Sequence, residues 1–267
     1  MRTGGASAAR STFAVMGTVA SLTVGSRDVE RFGPAYVDQA LAQAREVLLG
    51  LDRRFSHFQD DSEISRWLRA EPVSVDAAVD IEHVLRECGR LHGDSDGVFE
   101  PRDPRTGALD TAGYVKGYAI RCAAEAMLDA GLSDLLVGVG GDVHASGRAS
   151  LDRPWRAAVQ DPRRSHAVVA LVDVEDGAVA TSGTAQRGAH VWRGTALPVG
   201  PEAGAPDALL SFTVLGPDIA LADAYATIGL ALGADGPAWV RRHEGYRSLV
   251  VRADGTVVSD AALVSAA

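Results

Sequence analysis

The sequence has little cysteine: Cys88 and Cys122 are the two thiols in 267 residues, far apart and without a Cys-x-x-Cys or Cys/His spacing. Neither a disulfide framework nor a structural zinc site is suggested, and two buried thiols are expected. No apolar run approaches transmembrane length, and the opening "MRTGGASAARSTFAVMG" has no apolar stretch of signal-peptide length. A cytoplasmic protein without membrane insertion is the expectation. Positive charge is scarce as well. With 26 Lys and Arg against 35 Asp and Glu, the formal net charge of −9 argues against a chain-wide grip on nucleic acid or anionic lipid. Also missing are a repeat of fixed period, a heptad seam, a low-complexity linker, and the nucleotide patterns GxxxxGK[ST] and GxGxxG opening a helix.

What is present describes an ordinary globular chain, 46% hydrophobic and long enough to bury a sizeable core. "FAVMGTVASLTVGSRD" reads as an opening strand. After Pro34, a stripe of Val37, Leu41, Ala44, Leu48, Leu51 and Phe55 recurs at helical spacing. "DSEISRWLRA" reads as a short helix capped by Asp61 or Ser62, and a third helix spans about Asp76 to His92. The Gly- and Pro-rich "HGDSDGVFEPRDPRTGALD" is a long loop, the kind usually tied to function, before a helix ending at Gly131. Strands follow near Leu135 to Val139, Trp155 to Gln160, Val168 to Val172, Ala178 to Thr181 and Leu209 to Leu215. Helices return at Asp218 to Leu232 and Pro237 to Arg242, and "YRSLVVRADGTVVS" closes the chain as a strand pair turning at Ala253-Asp254-Gly255. Helices early and strands late predict an α+β fold, with a mixed, largely antiparallel sheet and helices packed against it.

Two stretches invite chemistry. "LADAYATIGL" is a buried-looking helix that carries one carboxylate, Asp223, with Thr227 four residues on and so on the same face. These are hard oxygen donors suited to Mg2+, although an Asp near a helix start also serves as a cap or dipole partner. "GVGGDVHASG" sets Gly138, Gly140 and Gly141 directly after an apolar strand, which permits close approach of a ligand or makes a tight turn or bulge.

Five separated segments together resemble one family: "VMGTVASL" (15 to 22), "RRFSHFQDDSEISR" (53 to 66), "DGVFEP" with "LDTAGYVKGYAI" (96 to 120), "VGGDVHASG" (139 to 147), and "ATSGTAQRGAH" through "LADAYATIGLALG" (180 to 233). Their order is that of the ApbE family, the FAD:protein FMN transferases, and the resemblance covers roughly residues 11 to 255. It implies a single T-fold-like domain over 11–262, after a flexible N-terminus at 1–10. It further implies a Mg2+ site made by Asp223, Thr227 and the main-chain carbonyl of Gly113. FAD, the substrate, would be held by Met16, Phe58, Val98, Phe99, Glu100, Asp110 and Lys116, by motif position. Departures from the family pattern are also visible. Phe58 stands for the commoner Tyr, Leu68 for a frequent Asn, "DTAG" for a more hydrophobic or Pro-Ser run, and Arg193-Gly194 for Asp-Pro after the histidine.

The implied reaction splits a diphosphate while a weak hydroxyl attacks phosphorus, so it needs charge neutralisation and alignment above all. FMN would pass from FAD to a Thr or Ser of a target flavoprotein as a phosphodiester, with AMP leaving. Asp223 is the expected catalytic carboxylate. His190 would handle the nucleophile's proton or steady the phosphate, although a lone histidine also serves structure. An FAD-binding protein without transfer and a Mg2+-dependent hydrolase yielding FMN and AMP are the alternatives.

Overall fold

The computed structural model describes residues 7–103, 106–164, 166–183 and 208–261, together with short strand segments at 192–193 and 197–198. The opening stretch is two strands rather than one: β1 (Ala9–Val15) and β2 (Thr18–Val24) pair antiparallel, with Val15 opposite Thr18. Met16 at φ 51 and Gly17 at φ 69 are both left-handed, which is what a two-residue hairpin turn between right-twisted strands demands. Ala9 and Arg10, expected in the N-terminal tail, are the first residues of β1, opposite Val24 and Thr23.

A short helix that hydropathy did not announce, α1 (Ser26–Phe32), precedes α2 (Pro34–Arg54). The stripe Val37, Leu41, Ala44, Leu48 and Leu51 is buried along α2, and Phe55 follows at its C-cap. Then come α3 (Glu63–Leu68), capped by Ser62, α4 (Val75–Asp94), capped by Ser74, and α5 (Ala112–Asp129). Beyond α5 lie β3 (Leu135–Val139), β4 (Asp142–Ser146), β5 (Trp155–Gln160), β6 (Val168–Val174), β7 (Gly177–Gly183), β8 (Trp192–Arg193), β9 (Leu197–Pro198) and β10 (Leu209–Gly216). The chain closes with α6 (Ile219–Leu232), α7 (Gly236–Val240), β11 (Arg247–Arg252) and β12 (Val257–Ser259).

One eight-stranded sheet runs β1-β2-β3-β4-β7-β10-β11-β12, and neighbouring strands pair antiparallel throughout. Alternation along the strands sends side chains to two separate cores. Ala178 and Ala180 of β7 join Phe212, Val214 and the helices on one face, whereas Val179 between them points to the other. That second face is covered by β5 and β6, which form a hairpin of their own rather than part of the large sheet. Trp155, Ala157, Val159, Ala170 and Val172 pack there on Ala145, Val179, Leu249 and Val251. No helix among the described residues is long and apolar enough to cross a membrane.

The helical layer is closest where α5 crosses α6. A Cβ on Gly117 would fall 2.6 Å from the Ile219 carbonyl oxygen, 2.7 Å from Ala220 Cα and 2.9 Å from Asp223 Cβ. Side chains of one and two carbons along α6, including Ala220, Ala222, Ala224 and Ala226, let the helix lie buried between α5 and the sheet. Gly117→Ala is therefore expected to destabilise the fold by about 1–3 kcal/mol through overpacking. Gly89→Ala, on the exposed side of α4 with open space around it, should stabilise by about 0.4–1 kcal/mol. Urea denaturation of both variants checks the contrast, and a Gly117→Ala protein as stable as the parent would disprove the tight crossing.

Candidate functional site

The ambiguity over Asp223 is resolved by its neighbour in the sequence. Asp218 is the N-cap of α6, its Oδ1 accepting the Leu221 N–H at 2.8 Å. Asp223 therefore lies in the second turn, 2% exposed, and takes no part in capping. Its Oδ2 accepts the Gly117 N–H at 2.9 Å, and its Oδ1 is 3.2 Å from Lys116 Nζ. The same ammonium is 2.5 Å from Asp142 Oδ2, on a carboxylate that is itself 1% exposed. Asp142 begins β4, and its Oδ1 accepts the Thr181 N–H of β7 at 2.8 Å. Lys116 thus sits between two buried carboxylates, one from the helical layer and one from the sheet.

Hydroxyls extend this centre along the sheet. Thr227 Oγ1 donates back to the Asp223 carbonyl at 3.3 Å, a usual bond for a helical threonine, so Ser182 Oγ is the donor in its 3.1 Å contact with Thr227 Oγ1. Thr181 and Thr213, paired on adjoining strands, bond through their hydroxyls at 2.9 Å on the other face of the sheet, the one that also carries Val179, so only the Thr181 N–H serves the centre. Gly113 belongs to the first turn of α5. A Cβ there would lie 3.1 Å from the Phe99 ring and 3.7 Å from Thr227 Cγ2, so these three residues share one corner.

The loop that brings Phe99 there is folded onto the end of α4. Ser95 Oγ donates to the Leu91 carbonyl at 2.7 Å and accepts the Phe99 N–H at 2.9 Å. Gly97, at φ 81, turns the chain, and His92 Nδ1 meets the Phe99 carbonyl at 3.0 Å. Val98 is half-buried beside it. Glu100 is exposed, with Oε2 3.7 Å from His92 Nδ1. Asp110 is exposed too, and its Oδ1 accepts the Ala112 N–H at 3.0 Å, fixing the entry to α5.

Of the expected residues, Asp223, Thr227, Gly113, Phe99 and Lys116 are gathered together, with Asp110 at the start of the helix that carries two of them. Met16 is placed beside α2, its N–H donating to Asp52 Oδ2 at 3.0 Å. Phe58 is fully exposed, three residues beyond the buried Phe55. His190 lies outside the described residues. Asp142, Ser182 and His57 are not among the residues that motif position predicts. His57 Nε2 contacts Thr111 Oγ1 at 3.2 Å, and burial holds its pKa below the usual histidine value, although Asp110 opposes the shift. The sequence signal for Asp142 is Gly140-Gly141-Asp142, a carboxylate directly after two glycines that permit close approach. Among the described residues, no three His, Cys, Asp or Glu side chains gather as a metal-binding group. Burial pushes the Cys88 thiol up to about 12 and that of Cys122, which is half-buried rather than buried, to about 11, so neither is a ready thiolate.

The model of the ApbE family matches residues 16–106 and 101–250, which is most of the chain. The chain belongs to the ApbE family. It is 29% identical over 200 residues to the FAD:protein FMN transferase of Escherichia coli K12, covering 69% of this chain and 55% of that protein. To the enzyme of the same name from Salmonella typhimurium it is 32% identical over 158 residues, covering 55% of this chain and 43% of that protein. The matched region thus spans about half the length of these curated relatives. Among solved structures, the flavin transferase ApbE of Vibrio cholerae superposes with a TM-score of 0.73 at 20% identity, covering 94% of this chain and 96% of that one. The apo flavinyl transferase ApbE of Pseudomonas stutzeri gives 0.73 at 21% identity, with 97% of each chain covered. The α+β fold is accordingly that of ApbE proteins.

Removing the cation from this ApbE centre leaves two buried carboxylates face to face. Lys116→Met is expected to cost about 3–5 kcal/mol. Adding Asp142→Asn should recover part of the loss, because one charge is removed and the amide oxygen still accepts the Thr181 N–H. Chemical denaturation measures both. Equal stability of the parent and Lys116→Met would show that the ammonium is not holding the carboxylates together.

Proposed function

We propose that the protein transfers FMN from FAD to a Thr or Ser side chain of a target flavoprotein, in a Mg2+-dependent reaction that forms a phosphodiester and releases AMP. The observation that carries this reading is the meeting of Asp223, Thr227, Gly113, Phe99 and Lys116 at one corner of an ApbE fold, supported by relatives named for that activity. The donor set suits the ion. Mg2+ is usually held by one or two carboxylates together with neutral oxygens and water, and here a 2% exposed carboxylate stands one helical turn from a hydroxyl. Asp223, Thr227 and the Gly113 carbonyl would hold Mg2+, which supplies neutralisation of charge on the diphosphate as the phosphorus–oxygen bond breaks.

The chain's own groups have separate tasks. Phe99, backed by Gly113, offers an apolar wall, and Met16, Val98 and Phe58 are the further apolar contacts proposed for FAD. Asp110 and Glu100 can accept hydrogen bonds from the substrate's hydroxyl or amino groups. Lys116 brings positive charge to the phosphates, and its ammonium, unlike a metal, needs no recruitment. The acceptor hydroxyl oxygen attacks the phosphorus of the FMN half, the bond from that phosphorus to the bridging oxygen breaks, and AMP departs with that oxygen. His190 is the group proposed to take the hydroxyl proton. A cytoplasmic setting is part of the same proposal and is checked by cell fractionation.

Incubation with FAD, Mg2+ and a small flavoprotein domain bearing an acceptor Thr, followed by intact mass, tests the activity. A mass gain of one FMN group is expected. AMP without that gain would indicate hydrolysis, and neither product would indicate binding alone. Asp223→Ala should slow AMP release by about 100-fold or more, the equivalent of losing several kcal/mol of transition-state stabilisation. Thr227→Ala should slow it less, because water replaces a neutral hydroxyl ligand. AMP is followed by chromatography on variants shown to be folded by circular dichroism, and release at the parent rate by Asp223→Ala would defeat the assignment.

A further inference from the structure

Lys116 creates a difficulty for the proposed metal site. An ammonium next to Asp223 neutralises the carboxylate that the ion needs, so lysine and metal compete for the same oxygen. The geometry shows how the competition is weighted: Lys116 Nζ is 2.5 Å from Asp142 Oδ2 but 3.2 Å from Asp223 Oδ1. Asp142 cannot readily follow the lysine away, because its Oδ1 is fixed by the Thr181 N–H at 2.8 Å and its side chain is 1% exposed. Asp223 is anchored independently, through the Gly117 N–H at 2.9 Å on Oδ2.

We infer that Asp142 is a positioning residue that acts as the resting partner of Lys116, drawing the ammonium toward the sheet so that Asp223 keeps its negative charge for a divalent cation. Asp142 touches neither the reacting atoms nor the ion in this role; it acts through Lys116. The inference rests on the proposed metal site and adds to it a residue outside the metal-binding set. Two carboxylates against one ammonium leave a net charge of −1 in the group. Removing the charge of Asp142 makes Lys116 and Asp223 a neutral pair, which attracts a divalent cation far less.

Binding of Mn2+ to the purified full-length protein alone, followed by loss of the free-ion electron paramagnetic resonance signal, tests this without turnover. Asp142→Asn keeps the acceptor for the Thr181 N–H and is expected to weaken Mn2+ binding about tenfold. Asp142→Glu should retain binding within about threefold of the parent. The double variant Lys116→Met/Asp142→Asn should recover the affinity lost by Asp142→Asn, since no ammonium then competes for Asp223, and this recovery is what a merely structural role would not give. Asp142→Asn binding Mn2+ as tightly as the parent overturns the inference, as does a double variant no better than Asp142→Asn. Asp223→Ala binding Mn2+ like the parent would instead remove the metal site itself, and the inference with it.

Discussion

The site depends on how closely two helices approach. Gly117 brings α5 against the backbone of α6 at Ile219 and Ala220, and the same contact delivers the Gly117 N–H to Asp223 Oδ2 at 2.9 Å. Lys116, one residue earlier, is carried to the opposite side of that carboxylate. A side chain at position 117 would push the helices apart and separate the ammonium from the acid together. The burial of Asp223 is tolerable for the same reason, because a buried carboxylate requires both a hydrogen-bond donor and a counter-charge, and the crossing supplies both.

The sheet provides the second half. β4 and β7 are neighbours, so Asp142 at the start of one and Thr181 and Ser182 near the end of the other come to the same edge of the helical layer. Alternation assigns their side chains different duties. Ala178 and Ala180 fill the core beneath α6, and Ser182, two residues further along the same face, reaches Thr227. The position where the strand stops being apolar is where the site begins. The β5–β6 hairpin covers the opposite face and frees β7 to carry apolar residues on both sides, Ala178 and Ala180 on one and Val179 on the other.

Much of this was legible from the sequence because it rests on local rules. The i, i+4 spacing of Asp223 and Thr227, the stripe on α2, and the loop before α5 follow from helical periodicity and turn chemistry. Tertiary facts were not legible. "VMGT" looks like continuous strand, and only the left-handed backbone at Met16 and Gly17 makes it a hairpin turn. α1 is seven residues long and has no stripe of its own; it is held by Asp28, whose buried carboxylate accepts the Ser133 and Asp134 N–H groups at 2.6 and 2.8 Å. Asp142 is not legible in the sequence because its partner Lys116 lies on a separate helix, and only the fold brings them together. Equally, whether Asp223 or Asp218 caps α6 is settled by hydrogen bonds that composition cannot rank.

The electrostatics of the centre bear on why an ion belongs in the proposed reaction. Asp142, Lys116 and Asp223 together carry one net negative charge, within a chain whose formal charge is −9. A diphosphate approaching that group meets repulsion, strengthened by the low dielectric of a site whose carboxylates are almost fully buried. Lys116 alone cannot reverse the sign, because two carboxylates already share it. A divalent cation at Asp223 and Thr227 would turn −1 into +1, converting a surface that repels the substrate's phosphates into one that attracts them. Under that proposal the second carboxylate, unneeded for binding a phosphate, would have a physical purpose: it would leave the centre one charge short, so that a metal ion would be drawn in and the lysine would not be left to neutralise Asp223 by itself.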